Sequence, residues 1–382
     1  MKKTHIWAVV LSLFTAAFPT HSEDHGEATR GGAPTTHTVA IKHPAFAKPK
    51  PMQFVVVKDE NGEPTDCYMD ADLGSRGNGL RSVGTVRIYW DALGNYRRYG
   101  LPSGGQLMKK GNKPFTRADT RKLNSLLADA RSPLKTLIKG HVSAPGKSGI
   151  KVDATTGATP AAIRKVIVPG AAYTCYMLWH WVNGDARAKA REVAGKTCSV
   201  PWLSRCLDTG TEASAVFAME QFARRGIHDK ATVEAILRRA QEGSGRAVKG
   251  CLRYLEDVSA EAGSDIYFAA MERLVASAGK YTLILYIDSL SEITAEPPKG
   301  CWDRLSAWLP RQDTYYPMHR LLKLMEERNP GSAEVARQAT LVLDNENFVI
   351  ARRAFWFLEK QALTTEQKTK VNAFRETYKD RL

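Results

Sequence analysis

The stretch Val152-Asp153-Ala154-Thr155-Thr156-Gly157-Ala158-Thr159-Pro160 gathers a carboxylate and three hydroxyls around one glycine. It reads as a helix start. Thr159 takes the N-cap place, where its hydroxyl accepts a hydrogen bond from a first-turn N–H. Pro160 follows at the first helical position, where a missing N–H costs nothing. Apolar residues then recur at helical spacing as Ile163, Val166, Ile167, Ala171, Leu178 and Trp181, with Pro169-Gly170 dividing a short helix from a longer one. Gly157 and Ala158 are small enough to leave the Thr159 hydroxyl open to a second protein's active site. An ordinary capped turn is the plainer reading of the same residues.

The order Asp, two variable residues, Thr, Gly, Ala, Thr resembles the flavin attachment motif of the FMN-binding domain family. That domain occurs in subunits of membrane sodium-pumping and ferredoxin-oxidising redox complexes and in other extracytoplasmic electron-transfer proteins. The matching positions are Asp153, Thr156, Gly157, Ala158 and Thr159. The resemblance implies that a flavin transferase joins the FMN phosphate to the Thr159 hydroxyl, and that Asp153 belongs to the transferase's recognition motif. A phosphodiester at that place would meet the unbonded N–H groups and the positive end of a helix. Family members often carry more Ser or Thr after the motif, whereas this chain has Pro160-Ala161-Ala162.

Other candidate chemistry is thin. The run Tyr173-Thr174-Cys175-Tyr176-Met177-Leu178-Trp179-His180-Trp181 could stack on a flavin ring, but aromatic stripes usually mean packing, here between two domains. His180 and His319 each lack a neighbour at metal-ligand spacing. There is no C-x-x-C pair, nucleophile elbow, Walker loop or H-E-x-x-H motif. Gly74-Ser75-Arg76-Gly77 lacks the strand and helix that a phosphate loop needs.

The elements that would position the motif come in two kinds. Residues 23–51 are polar, hold Lys48-Pro49-Lys50-Pro51, and read as an extended lead-in. From 52 to 184 the pattern suits a small α+β domain. Phe54–Val57 and Thr85–Trp90 read as strands, Asp91–Gly94 as a turn and Asn95–Leu101 as a returning strand, with Trp90, Tyr96 and Tyr99 giving aromatic area. Gly74–Gly84 reads as a loop. Thr116-Arg117-Ala118-Asp119 opens a helix with a capping box, carried on by Leu123, Leu126 and Leu127 and stopped by Ser132-Pro133. Residues 185–210 read as a linker.

From 211 to 382 the pattern is all helical. Helix pairs starting at Thr211, Arg246, Lys280, Asp313 and Glu346 are spaced by 35, 34, 33 and 33, with second helices near Asp229, Ser264, Pro298, Gly331 and Thr364. A period near 34 built from helix pairs predicts an α-solenoid of HEAT-like repeats. The expected fold class is therefore an α+β N-terminal domain followed by an all-α solenoid.

Met-Lys-Lys, the thirteen-residue uncharged run Ile6–Phe18 and Thr20-His21-Ser22 predict a signal peptide over residues 1–22. No Cys follows the run closely, and no later segment approaches a transmembrane length. The expected location is periplasmic or secreted. Lys and Arg are scattered rather than massed, so the +15 net charge suggests solvated surface and no nucleic-acid partner. Six cysteines permit disulfides in that compartment, Cys198–Cys206 being the nearest pair, while Cys251 and Cys301 fall on apolar helix stripes.

Two functions compete. One is a flavoprotein relaying electrons through FMN to a redox partner, with the solenoid as docking surface. The other is a non-catalytic secreted scaffold whose working part is the solenoid. The positive charge alone suggests a third, an adaptor for an anionic surface such as membrane or cell-wall polymer.

Overall fold

The computed structural model describes residues 32–73, 84–103, 105–136 and 161–382. The signal peptide expected over residues 1–22 and all five motif residues, Asp153, Thr156, Gly157, Ala158 and Thr159, lie outside the described residues. The chain divides into two compact units between Cys198 and Ser199, an α+β unit followed by an all-α one.

The first unit is built on an antiparallel meander of β1 (Thr35–Ile41), β2 (Lys50–Lys58), β3 (Pro64–Asp72), β4 (Thr85–Asp91) and β5 (Tyr96–Gly100), each strand paired with the next. Alternation decides its faces. Phe54, Val56, Cys67, Met69, Val86, Ile88 and Trp90 are buried together, in a register that sets Cys67 opposite Trp90 and Met69 opposite Ile88. The other face carries Tyr68 opposite Tyr89 and Asp70 opposite Arg87, the last two joined by an ion pair of 2.7 Å. The β4–β5 turn forms as expected: Asp91 accepts from the Leu93 and Asn95 N–H groups, and Gly94 adopts φ +77°.

A short hairpin, β6 (Met108–Lys109) with β7 (Lys113–Pro114), leads into α1 (Arg117–Ala128). The capping box is present, Thr116 and Asp119 each bonding the other's backbone N–H. After a 3-10 turn at Pro133–Thr136 come α2 (Ala161–Val166), α3 (Ala172–Asn183) and α4 (Asp185–Thr197). Every side chain of α3 from Thr174 to Val182 is buried, as expected of a helix apolar all round. Trp90 Nε1 donates to the Val182 carbonyl at 3.0 Å. The aromatic run is thus core of the first unit, sharing one apolar cluster with the sheet, rather than a layer between domains.

Two boundaries move. The lead-in 23–51 supplies β1, an edge strand whose alternate residues are only half-buried, so its apolar signal is weak. The linker 185–210 is helical, holding α4 and α5 (Val200–Asp208). α4 buries Ala186, Ala190, Val193 and Ala194, mostly side chains too small to mark a stripe.

In the second unit α5 is followed by α6 (Glu212–Arg224), α7 (Lys230–Glu242), α8 (Gly245–Ala262), α9 (Asp265–Ala276) and α10 (Lys280–Glu292). The chain ends with α11 (Cys301–Ser306), α12 (Tyr315–Arg328), α13 (Ala333–Val342), α14 (Phe348–Leu358) and α15 (Thr365–Tyr378). Thr211, Asp229, Ser244, Ser332, Asn347 and Thr364 cap their helices through side-chain oxygens, which is why the starts are legible in sequence. The even-numbered helices α6, α8, α10, α12 and α14 stack in one row and the odd-numbered ones in a second. Polar links join neighbours one period apart: Ser289 to Glu256, Arg320 to Asp288, Arg353 to His319 and Arg304 to Glu272. Each helix of the odd row packs on the even helix that follows it, α5 on α6 through α13 on α14. The pairs therefore begin at Val200, one helix earlier than the start at Thr211.

Candidate functional site

The segment carrying the motif is flanked on both sides by described core. Before it, the Pro133–Thr136 turn buries Leu134 and packs on α3; after it, α2 packs on that same turn. α2 buries Ile163, followed by Ile167 and Val168, and leaves Arg164 and Lys165 exposed. The described residues resume at Ala161, inside a helix, α2. The cap itself lies outside the described residues.

Beside this turn, α3 holds an uncommon set of buried polar atoms. Tyr176 Oη, His180 Nε2 and Trp181 Nε1 have no hydrogen-bond partner among the described residues, although Tyr176 and Trp181 are 0% and 1% exposed and His180 8%. Each such atom costs about 1–3 kcal/mol if left unmatched. Burial pulls the His180 imidazole down to about 4, against an opposing pull from the Leu134 backbone, so the ring is neutral near pH 7. His43 completes the cluster. Its ring centroid lies 4.5 Å from Trp181 and 5.9 Å from His180. It accepts from the Ala45 N–H at 3.1 Å and meets the Met177 carbonyl at 3.1 Å, so its proton is on Nε2. His43 is too distant in sequence for any spacing rule to join it to α3.

The helical unit offers grooves along its even row. One of about 900 Å³ runs over α6, α8 and α10, lined by Arg246, Lys249, Arg253, Tyr281, Leu285 and Asp288. Another of about 410 Å³ lies between α12 and α14. There Arg353, 7% exposed, donates to His319 Nδ1 at 3.1 Å and to Glu326 at 2.9 Å. Tyr315 stacks on His319, and Trp356 stands on the opposite helix. Burial and the Arg353 charge hold the His319 imidazole below its ordinary value. His319 has no partner at local spacing; its partner stands one period later, a signal carried by the 34-residue repeat. Exposed apolar residues follow the same period, with Tyr281, Tyr316 and Val349 each second in α10, α12 and α14.

Burial pushes the Cys251 and Cys301 thiols up to about 12, which makes them inert packing groups as expected. No disulfide joins the described cysteines. Cys198, expected to bridge to Cys206, instead donates its S–H to the Ala194 carbonyl within α4 at 3.3 Å. Among the described residues no cluster of His, Cys, Asp and Glu could hold a metal ion, and no helix is long and apolar enough to cross a membrane. Compared with protein-family models, with curated proteins and with solved structures, the chain finds no match in any of the three.

Proposed function

We propose that this is an exported two-part carrier protein: stacked helix pairs dock a redox partner while the α+β unit presents FMN attached through Thr159. The observation that carries the docking half is the period itself. Polar links between neighbouring helices span 32–34 residues, and exposed apolar side chains recur at the same period in α10, α12 and α14. Such an array makes an extended binding surface from short-range contacts alone.

The flavin half rests on the motif Asp153 to Thr159 and on two features beside it. The helix start at α2 would meet a phosphodiester with N–H groups. Arg164 and Lys165 would offset its charge. Bound FMN would supply the one- and two-electron chemistry; the chain would supply attachment and orientation.

Co-production with an active flavin transferase in the periplasm tests this. A yellow protein whose flavin fluorescence survives denaturation supports the carrier reading. A colourless protein leaves the second reading, a helical-repeat scaffold without a cofactor, which the grooves over α6, α8 and α10 favour by themselves.

A further inference from the structure

The two units differ sharply in charge. Residues 199–382 hold 26 Lys and Arg against 25 Asp and Glu, while residues 1–198 hold 29 against 15. Nearly all of the net charge of +15 therefore belongs to the first unit. Within that unit the excess is concentrated. The β6–β7 hairpin, α1, the Pro133–Thr136 turn and α2 with its following turn, residues 105–136 and 161–170, carry ten basic side chains and two acidic ones.

These elements are neighbours. The Lys110 N–H donates to the Gly170 carbonyl at 2.7 Å, tying the hairpin to the end of the α2 turn. α2 packs on the 3-10 turn that bears Lys135, and α1 and that turn both pack on α3. Lys109 is neutralised by Asp119 at 2.6 Å. Lys110, Lys113, Arg117, Arg121, Arg131, Lys135, Arg164 and Lys165 are exposed, and none makes an ion pair among the described residues. Eight uncompensated cations around one short helix raise the local potential and are held there by a rigid core.

We propose that this face docks on an anionic phospholipid bilayer. The charges are spread over four elements rather than gathered in a cleft, which suits an extended surface better than a small anion. Among the described residues none of the large exposed aromatics lies on these elements, so they offer no stacking platform of the kind single-stranded nucleic acid requires. A basic face of this kind holds a protein on anionic lipid by several weak contacts, each worth about fivefold in partitioning. The proposal does not need the flavin: Arg164 and Lys165 serve both readings, and a chain that never gains FMN keeps the whole face.

The test is sedimentation of the purified full chain with vesicles of equal parts phosphatidylglycerol and phosphatidylcholine. The expected results are binding to these vesicles, no binding to pure phosphatidylcholine, and release in molar salt, where the screening length falls to about 3 Å. Replacing Lys110, Lys113, Arg164 and Lys165 together by Gln should lower the partition coefficient roughly several-hundred-fold. Replacing Lys360, Lys368, Lys370 and Arg375 of the helical unit by Gln should leave it unchanged. Helical content by circular dichroism checks that both variants are folded. Equal binding by the first variant, binding to neutral vesicles, or capture by single-stranded DNA with no binding to the anionic vesicles would overturn the proposal.

Discussion

Gly250 sits in the middle of the 18-residue helix α8, where glycine is about 1 kcal/mol worse than alanine. Its reason lies across the row. A Cβ there would stand 3.1 Å from Met219 Sδ and 3.1 Å from a Val216 methyl on α6, so the missing side chain is what lets the two helices approach. Gly250→Ala gains the propensity and must displace these two neighbours by a few tenths of an ångström, and the terms nearly cancel. Gly250→Leu gains about the same propensity but must fit three further carbons past Met219 and Val216. Overpacking of this kind costs about 1–3 kcal/mol; at the upper end the net loss is about 2 kcal/mol. For a unit of this size that is about 4–8 °C in Tm. Thermal unfolding followed at the helical dichroism band measures it. Met219→Ala in the Gly250→Leu background should recover part of the loss, since contacting residues couple. A Gly250→Leu protein as stable as the parent, with no coupling to Met219, would refute the close stacking of α6 on α8.

Other outcomes follow from the same contacts. His180 holds its folded value near 4 against an ordinary 6.5, so between these values the unfolded chain binds more protons and stability must fall as pH drops from about 6.5 to about 4. Urea titrations across that range should show the slope, and His180→Phe should flatten it. Arg353→Ala strands Glu326 and the His319 acceptor; breaking a buried pair costs about 3–5 kcal/mol, and the 29% exposure of Glu326 sets the expectation at the lower end, readable as a fall in urea midpoint. Truncation after Gly331 removes the last pair, α13 with α14, together with α15, and should leave a shorter array that still melts cooperatively. Loss of all cooperative melting would indicate one globular bundle instead.

What the sequence discloses depends on how local the cause is. Helix starts were legible because each is written in one or two residues, such as Thr116 with Asp119 or Thr364 with Gln367. The period of the second unit was legible because its caps recur. The phase was not: α5 looks like loop, with Ser199 and Pro201 at its start, and only its packing on α6 and α7 assigns it to the array. β3 escaped notice because Pro64, Asp66, Asp70 and Asp72 interrupt its apolar alternation, although Cys67, Met69 and Ala71 are wholly buried. At the candidate site the motif is a contiguous string and could be read directly. The cluster of His43 with Tyr176, His180 and Trp181 could not, since the fold alone brings β1's end to α3.

The central claim is that Thr159 carries FMN, and intact-mass measurement of the purified protein tests it most directly. Co-produced with a flavin transferase, the mature chain should gain the mass of one FMN in phosphoester linkage, located by peptide mapping to Thr159. Thr159→Ala should abolish the gain at a stability cost of only about 0.5–2 kcal/mol, that of an N-cap. Asp153→Ala should reduce it, and Thr155→Ala should leave it intact. Attachment at Thr155 or Thr156, or no gain at all beside a control substrate that the same transferase modifies, would contradict it.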